Sequence, residues 1–287
     1  MSENAHPRAD AMDSLTTREI LALMHGEDMR AVKAVQPALG PIADAIEQIS
    51  ARLRSGGRLH YFGAGTSGRL AALDAAECPS TFGVPPEMVQ AHAAGDGEAE
   101  DDDRMGAADA RQAGLGSRDA VVGISASGRT AYVLAAVGEA RRAGALVVGL
   151  TCTPASPLAA AADIAIEVDA GPEVIAGSTR LKAGTAQKVT LNMISTGVFT
   201  RLGHTYRGRM VGVIPANAKL RGRASRMVRE LTDRLPDDVD AALRDAGGNA
   251  KVAILMLRCG IDAAGARSRL SAAGGDLAVA LGEKRVP

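Results

Sequence analysis

Two short segments of the sequence combine glycine with hydroxyl side chains in an arrangement that binds anions. Residues 63–69 read Gly-Ala-Gly-Thr-Ser-Gly-Arg, follow the apolar run 59–62 and precede a helical pattern. A turn from a strand into a helix directs unpaired backbone N–H groups and the positive end of the helix dipole to one place, which favours negative charge. Residues 124–130, Ile-Ser-Ala-Ser-Gly-Arg-Thr, lie in the same context. Two such loops in one domain indicate a phosphorylated small molecule as the ligand.

We expect the phosphate to contact hydroxyl and backbone N–H groups of both loops. Glycine lets the backbone approach closely, and serine and threonine add hydroxyl donors. The expected substrate-binding residues are Gly65, Thr66, Ser67, Gly68, Ser125, Ser127, Gly128 and Thr130. Arg69 and Arg129 either clamp the phosphate or point to solvent. The alternative is that both segments are ordinary turns in which serine and threonine only cap helices.

Other phosphate-binding motifs fit this sequence less well. Residues 63–68 match the dinucleotide fingerprint Gly-x-Gly-x-x-Gly, which also needs an acidic residue about 20 positions on, at the end of the next strand. The next apolar run, 88–92, ends in His92 and is followed by two alanines. The Gly-Lys-Ser/Thr signature of nucleoside triphosphatases is absent from the sequence. A sugar phosphate therefore fits the loops better than a dinucleotide.

Apolar runs alternate with helical patterns through the middle of the chain. The runs lie at 58–62, 88–92, 120–124, 146–151 and 164–168. Buried strands alternating with helices predict an α/β fold, a three-layer αβα domain with a five-stranded parallel sheet, and we take 2-1-3-4-5 as the expected order of its strands. In such sheets ligands bind beyond the carboxyl ends of the strands where the order reverses, here between strands 1 and 3. The two loops follow these two strands, so topology and loop chemistry predict the same crevice.

The remaining segments predict helices toward both ends of the chain. Thr16 or Thr17 is expected to cap a helix that runs to about His25, and a long helix is expected over 182–202. Residues 208–217 are expected to form an edge strand or a loop. The predicted domains are an N-terminal helical segment packed on the sheet domain, the sheet domain, and a small C-terminal helical domain, at residues 1–57, 58–218 and 219–287.

The composition argues against several classes of partner. Lys plus Arg equals Asp plus Glu at 33 each, Trp is absent and aromatic residues make up 2% of the chain. We therefore expect neither nucleic acid nor a membrane surface as a partner. Three widely spaced cysteines and histidines without ligand spacing predict no disulfide framework and no metal site. The first residues are polar, without the apolar core of a signal peptide, so the expected location is the cytoplasm.

Two further stretches give the sequence a specific resemblance. Residues 74–79 read Asp-Ala-Ala-Glu-Cys-Pro, and residues 177–188 read Gly-Ser-Thr-Arg-Leu-Lys-Ala-Gly-Thr-Ala-Gln-Lys. Together with the two loops they resemble the N-acetylmuramic acid 6-phosphate etherases, which belong to the sugar isomerase (SIS) domain superfamily. The loops alone would indicate only an SIS domain. The resemblance runs from about residue 15 to the C-terminus and implies a homodimer with a small helical domain.

The resemblance also implies a reaction. The etherases use water to split the D-lactyl ether of N-acetylmuramic acid 6-phosphate, giving N-acetylglucosamine 6-phosphate and D-lactate, with no metal or organic cofactor. The implied steps are opening of the sugar ring, loss of the C2 proton, expulsion of lactate from C3 and addition of water. Such chemistry needs a base near C2 and an acid near the ether oxygen, hence two carboxyl groups in different protonation states.

Site residues follow from the resemblance by position. Glu77 matches the acidic residue that protonates the ether oxygen, and it is expected where the helix after the first loop ends, near residue 76. Glu100 is similar to the second acidic residue of the family. The connection after the second strand is shorter here than in the family pattern, so Glu98 is the alternative to Glu100. Lys182 is a further residue expected to bind substrate, and its alternative is a solvated charge.

Two other functions share the phosphate loops. A non-catalytic sugar-phosphate sensor of the SIS superfamily would bind the same ligand without turnover. A transcription regulator of this type carries a helix-turn-helix ahead of the SIS domain, and the first 55 residues give no convincing one. An aldose–ketose isomerase would give no reason for the stretches at 74–79 and 177–188. The etherase is therefore the expected function.

Overall fold

The structure is a computed structural model that describes residues 5–95, 97–213 and 218–284. The chain forms two compact units. The first comprises Met1–Ala76 and Pro86–Thr196, and the second comprises Glu77–Pro85 and Gly197–Pro287. The domain boundary expected at residues 218 and 219 therefore lies inside the second unit. No helix among the described residues is long and apolar enough to span a membrane.

The first unit is built on a five-stranded parallel sheet. Its strands are β1 (Leu59–Ala64), β2 (Val89–Ala94), β3 (Ala120–Ser125), β4 (Leu146–Thr151) and β5 (Ile164–Glu167). They lie in the order β2-β1-β3-β4-β5, and every neighbouring pair is parallel. The predicted α/β sheet and its strand order are confirmed. The order reverses between β1 and β3, as expected for this strand order.

Helices flank this sheet in the first unit. They are α1 (Thr17–Ala34), α2 (Leu39–Arg54), α3 (Gly65–Phe82), α4 (Asp103–Gln112), α5 (Ala131–Arg142), α6 (Pro157–Ala161) and α7 (Lys182–Arg201), of which α3 and α7 end in the second unit. Side chains alternate across a strand, so Phe62 and Ala64 face one helical layer together with residues of α4, α5 and α6. Tyr61 points to the opposite face of the sheet, where its hydroxyl donates to Asp74 of α3.

Helix α1 is longer than the sequence suggested. Thr16 caps it as expected, because its backbone N–H donates to Glu19 and its hydroxyl accepts from the Glu19 N–H, a capping box. The predicted end near His25 is wrong, since the helix continues through Gly26 to Ala34. The spacing of the buried residues Leu23, Glu27 and Ala31 explains the difference. A buried face with a repeat of four residues stabilises a helix across a single glycine.

Helix α3 also extends past its predicted end. The sequence placed that end near residue 76, before Pro79, but the helix includes Pro79 and reaches Phe82. Proline removes one backbone hydrogen bond and usually ends or kinks a helix. Here Cys78 and Phe82 are buried, and the ring of Phe82 stacks on Phe199 at 4.6 Å between centroids. Burial of this apolar face holds the last turn in place beyond the proline.

The second unit is a helical domain with its own apolar core. Its helices are α8 (Ala218–Thr232), α9 (Pro236–Asp245), α10 (Ala250–Cys259), α11 (Ala263–Ala272) and α12 (Leu277–Ala280). Val228, Val239 and Ile254 are fully buried in this core. The described part of the segment expected as an edge strand or a loop, up to Val213, is a loop with turns and one isolated antiparallel bridge from Arg209 to Tyr206. Residues 214–217 lie outside the described residues. The helical C-terminal region is confirmed.

Candidate functional site

The first hydroxyl-rich loop is the direct passage from β1 into α3. The strand ends at Ala64 and the helix begins at Gly65, whose φ of +52° favours glycine. A Cβ atom on Gly63 would lie 2.8 Å from the backbone nitrogen of Gly68, and one on Gly68 would lie 2.8 Å from the Gly63 oxygen. The two glycines therefore allow the first turn of α3 to pack against the end of the strand. Its unpaired N–H groups then face beyond the sheet, next to Thr66 and Ser67.

The second loop joins β3 to α5 and brings three hydroxyl groups together. The Ser125 Oγ lies 2.8 Å from the Thr130 Oγ1 and 3.4 Å from the Ser127 Oγ. The Gly128 N–H donates to the Ser125 Oγ at 3.0 Å, and the Arg129 N–H donates to the Ser127 Oγ at 3.2 Å. Hydroxyl protons can rotate, so such a cluster can turn several donors toward one anion. Arg129, like Arg69, has an exposed side chain.

Gly128 fixes the shape of this second loop. Its φ is +66°, and a Cβ atom there would collide with the side chain of Ser156 and lie 2.9 Å from the Thr151 Oγ1. The Gly128 carbonyl accepts from the Leu158 N–H at 3.0 Å. The loop is thus held against the end of β4 and the start of α6. No residue other than glycine fits this position without displacing its neighbours.

The two loops start from adjacent strands. Gly63 of β1 pairs with Ile124 of β3, so each loop begins at the same level of the sheet. Neighbouring strands lie about 4.8 Å apart. The structure therefore brings the two predicted phosphate loops to one edge of the sheet, at the reversal of strand order. Ordinary helix capping would not require both loops to start there.

Lys182 lies in a buried ion pair instead of facing solvent. Its Nζ is 2.6 Å from the Glu27 Oε2, and both side chains are almost fully buried. The backbone N–H groups of Lys182 and Ala183 donate to Glu173 at 2.9 and 3.0 Å, so this buried carboxylate caps the start of α7. Glu27 also contacts the Nη1 of Arg30 at 2.8 Å and the Nε2 of His6 at 3.4 Å. Burial by itself would raise the pKa of Glu27. The hydrogen bond and the charge attraction from Lys182 contribute in the opposite direction, and the pKa of Glu27 lies below its usual range.

The predicted catalytic carboxyl groups belong to different compact units. Glu77 is exposed and lies in the part of α3 that belongs to the second unit, with the Ser80 hydroxyl donating to its backbone carbonyl. Glu98 and Glu100 lie in a short 3-10 helix, Gly97–Glu100, that follows β2 in the first unit. Glu100 is half-buried and Glu98 is exposed. Of the two, Glu100 is therefore the better shielded from water.

Asp74 is a buried acid that sequence reasoning did not identify. Its carboxylate accepts from the Tyr61 hydroxyl at 3.0 Å, the Asn192 Nδ2 at 2.7 Å and the Ser195 hydroxyl at 3.0 Å. Burial raises the pKa of the Asp74 carboxyl, while these three hydrogen bonds act in the opposite direction. The network ties α3 to both β1 and α7. Only its place in the Asp-Ala-Ala-Glu-Cys-Pro stretch distinguished Asp74 in the sequence.

Gln187 is a second buried polar residue to which sequence reasoning assigned no role, although it lies in the stretch 177–188. The Ser67 hydroxyl, in the first loop, donates to its Oε1 at 2.9 Å.

Among the described residues, no group of three or more His, Cys, Asp or Glu side chains is arranged to hold a metal ion. The two loops offer hydroxyls and backbone N–H groups to an anion, and the side chains of Arg69 and Arg129 are exposed.

Comparisons with known proteins agree with this fold. A family model described as SIS domain matches residues 29–152. An N-acetylmuramic acid 6-phosphate etherase from Rubrobacter xylanophilus is 50% identical, over 100% of this chain and 97% of the relative. One from Cutibacterium acnes is 45% identical over 99% and 96%.

Solved structures share the fold at lower sequence identity. A phosphoheptose isomerase from Neisseria gonorrhoeae has a TM-score of 0.51 and 24% identity, covering 64% of this chain and all of that one. A protein from E. coli CFT073 solved in complex with A5P also has a TM-score of 0.51, with 20% identity, covering 68% of this chain and 97% of that one. These likenesses support the SIS fold of the sheet domain.

Proposed function

The chain belongs to the N-acetylmuramic acid 6-phosphate etherases, and on that basis we infer that it uses water to cleave the D-lactyl ether of N-acetylmuramic acid 6-phosphate. The products are N-acetylglucosamine 6-phosphate and D-lactate. The observation that carries this conclusion is the 50% identity to an etherase over the full length of the chain. It is an enzyme of amino-sugar catabolism, and its chemistry suits the recycling of cell-wall sugars.

The phosphate of the substrate occupies the edge of the sheet between β1 and β3. The first turn of α3 offers backbone N–H groups from Gly65 to Gly68 and the hydroxyls of Thr66 and Ser67. The second loop offers Ser125, Ser127 and Thr130, with Gly128 holding its shape. Hydrogen bonds from several donors and the positive end of a helix dipole together stabilise a phosphate dianion.

The reaction on the sugar needs proton transfers at C2 and at the ether oxygen. In the open-chain sugar the C1 aldehyde acidifies the C2 proton, which a carboxylate removes. The C3–O bond then breaks, and a carboxyl group delivers a proton to the departing lactate oxygen. Water adds to C3 of the unsaturated aldehyde and a proton returns to C2, which completes the balance of the reaction.

We assign the acid at the ether oxygen to Glu77 and the base at C2 to Glu100. The resemblance to the family gives both roles, and the partial burial of Glu100 supports it over the exposed Glu98. Lys182 contributes through its place at the first turn of α7 more than through its ammonium group, because that group is paired with Glu27.

We further propose that the enzyme is a homodimer. Leu21, Met29 and Val32 lie on the side of α1 opposite its buried residues, and all three are exposed. Leu73, four residues before Glu77 in α3, is also exposed. Apolar side chains grouped on one helix face favour a protein partner. A second copy seated on this face of α1 would cover Leu21, Met29 and Val32.

Charge substitution on this face tests the dimer. The double variant Leu21→Glu/Val32→Glu is expected to be a folded monomer in light scattering after size exclusion. Leu235→Glu is the control, because Leu235 is 72% exposed in the other unit, and it is expected to stay dimeric. A wild-type monomer, or an unchanged dimer in the double variant, would contradict the proposal.

The function itself is tested by turnover. Purified protein is incubated with N-acetylmuramic acid 6-phosphate and with unphosphorylated N-acetylmuramic acid, and D-lactate is measured. We expect lactate from the phosphorylated sugar and at least 100-fold less from the other, because the loops bind the phosphate. Binding of the sugar phosphate without lactate release would instead favour the sensor.

Comparing Glu98→Gln with Glu100→Gln identifies the base, since only the loss of the true base should abolish turnover.

A further inference from the structure

Gln187 combines full burial with an unsatisfied donor. Its side chain is 1% exposed, and its Nε2 has no hydrogen-bond partner among the described residues. Its Oε1 accepts a 2.9 Å hydrogen bond from the Ser67 hydroxyl. Buried amide groups nearly always satisfy their donors, so an exception beside a ligand loop points to a role in that loop.

Packing fixes Gln187 beneath the first loop. A Cβ atom on Gly184, three residues earlier in α7, would lie 3.6 Å from the Thr66 Cγ2 and 3.9 Å from the Leu70 Cδ1. The first turns of α7 therefore run close against the first turns of α3. Residues three apart lie on the same side of a helix, so Gln187 faces α3 as Gly184 does. This packing accounts for the glycine and the glutamine of the Lys-Ala-Gly-Thr-Ala-Gln-Lys stretch.

The Ser67 hydroxyl has only one proton to donate. In the structure that proton is directed to Gln187. A phosphate dianion accepts hydrogen bonds and cannot donate them, so Ser67 must turn its proton away from Gln187 to bind it. The Ser67 oxygen and the Gln187 Oε1 would then be two acceptors facing each other. Turning the amide over by 180° removes this conflict, because Nε2 then donates to the Ser67 oxygen.

We propose that Gln187 is a positioning residue that sets the direction of the Ser67 hydroxyl for phosphate binding. Without ligand, Gln187 receives the Ser67 proton and leaves its own Nε2 without an acceptor. With the sugar phosphate bound, the amide turns over, donates to Ser67 and frees the Ser67 proton for a phosphate oxygen. Gln187 acts through Ser67 and not on the ligand, because its Nε2 is shielded from solvent. This proposal rests on the proposed phosphate site.

A double-mutant cycle tests it, with N-acetylglucosamine 6-phosphate as the probe in titration calorimetry. Gln187→Met keeps the side-chain length but cannot donate to Ser67, so we expect affinity to fall about 3- to 10-fold, the value of one hydrogen bond between neutral groups. Gln187→Glu can only accept and adds a negative charge, so we expect a loss of about 100-fold. In a Ser67→Ala background, Gln187→Met should cause no further loss.

A control and a second measurement keep the outcome interpretable. Thr190→Val removes another buried hydroxyl from α7, one that donates to the Ala186 carbonyl, and should leave affinity unchanged. Unfolding midpoints show whether each variant is folded. The proposal is overturned if Gln187→Met binds like wild type, or if it weakens binding equally with and without Ser67. Wild-type protein that does not bind the sugar phosphate would instead overturn the phosphate site, and with it the role of Gln187.

Discussion

The hydroxyl of Ser67 donates a hydrogen bond to the side chain of Gln187, 120 residues later in the chain. Two turns further along both helices, Asp74 of α3 accepts from Asn192 and Ser195 of α7. Helix α3, whose first turn forms part of the first phosphate loop, is thus joined to α7 by two buried sets of hydrogen bonds. The stretches that distinguish this family from other SIS domains contribute residues to both sets.

Gly128→Ala should damage the second loop. The positive φ and the collision of a Cβ atom with Ser156 force the backbone to move. We expect the KM for the phosphorylated substrate to rise at least 10-fold in steady-state kinetics, with a stability loss of about 1–3 kcal/mol. Gly138→Ala in α5 is the control, since Arg142 is the nearest neighbour of its added methyl group, at 3.8 Å, and it should leave KM unchanged. An unchanged KM in Gly128→Ala would contradict the assigned loop geometry.

Asp74→Asn should destabilise the sheet domain. An asparagine keeps one acceptor but turns an NH₂ group toward donors that are already buried, so hydrogen bonds are lost without water to replace them. We expect the free energy of unfolding in urea to fall by about 1–3 kcal/mol. Asp44→Asn, at an exposed position of α2, should change it by less than about 0.5 kcal/mol. Equal effects of the two substitutions would remove Asp74 from the account.

The ion pair of Lys182 and Glu27 should contribute to the stability of the fold more than to binding of the charged substrate. Glu27→Gln leaves the buried Lys182 ammonium without its carboxylate partner and is expected to cost about 3–5 kcal/mol. Lys182→Met leaves Glu27 paired with Arg30 at 2.8 Å, so it should cost less. The double variant should recover part of that loss. A Lys182→Met protein with wild-type stability and a much higher KM would show instead that the ammonium binds substrate.

These polar contacts mark the limit of what the sequence predicts. The apolar runs gave the five strands, because a buried parallel strand is a continuous apolar segment, and the loops followed from glycine and hydroxyl residues at strand ends. The α7 partners of Ser67 and Asp74 and the Glu27 partner of Lys182 were not predictable, since each lies more than 100 residues away and no local spacing indicates it. The end of α3 was missed because the burial of Phe82 outweighs the local effect of Pro79.

Stability should fall in mild acid because of His60. This buried side chain has its Nδ1 3.1 Å from the Nε2 of His92, and burial lowers the pKa of His60 to about 4. The unfolded chain binds this proton near pH 6.5, so stability is full above that pH and declines between pH 6.5 and 4. The slope is at most about 1.4 kcal/mol per pH unit for each histidine.

A variant of His60 shows whether this side chain is the group that titrates between pH 6.5 and 4. In His60→Gln the slope of unfolding free energy against pH between 6.5 and 4 should be smaller than in wild type, measured by urea unfolding at each pH. Burial also lowers the pKa of His92, so part of the slope remains. An identical slope in wild type and variant would show that His60 is not the titrating group.

Cleavage of N-acetylmuramic acid 6-phosphate in ¹⁸O-labelled water tests the central claim most directly, with the products analysed by mass spectrometry. Elimination followed by hydration breaks the C3–O bond, so the account predicts unlabelled D-lactate and N-acetylglucosamine 6-phosphate with one solvent oxygen at C3. Glu77→Gln should release neither product while it still binds the sugar phosphate. Label in the lactate, absence of lactate from the wild-type protein, or full turnover by Glu77→Gln would contradict the account.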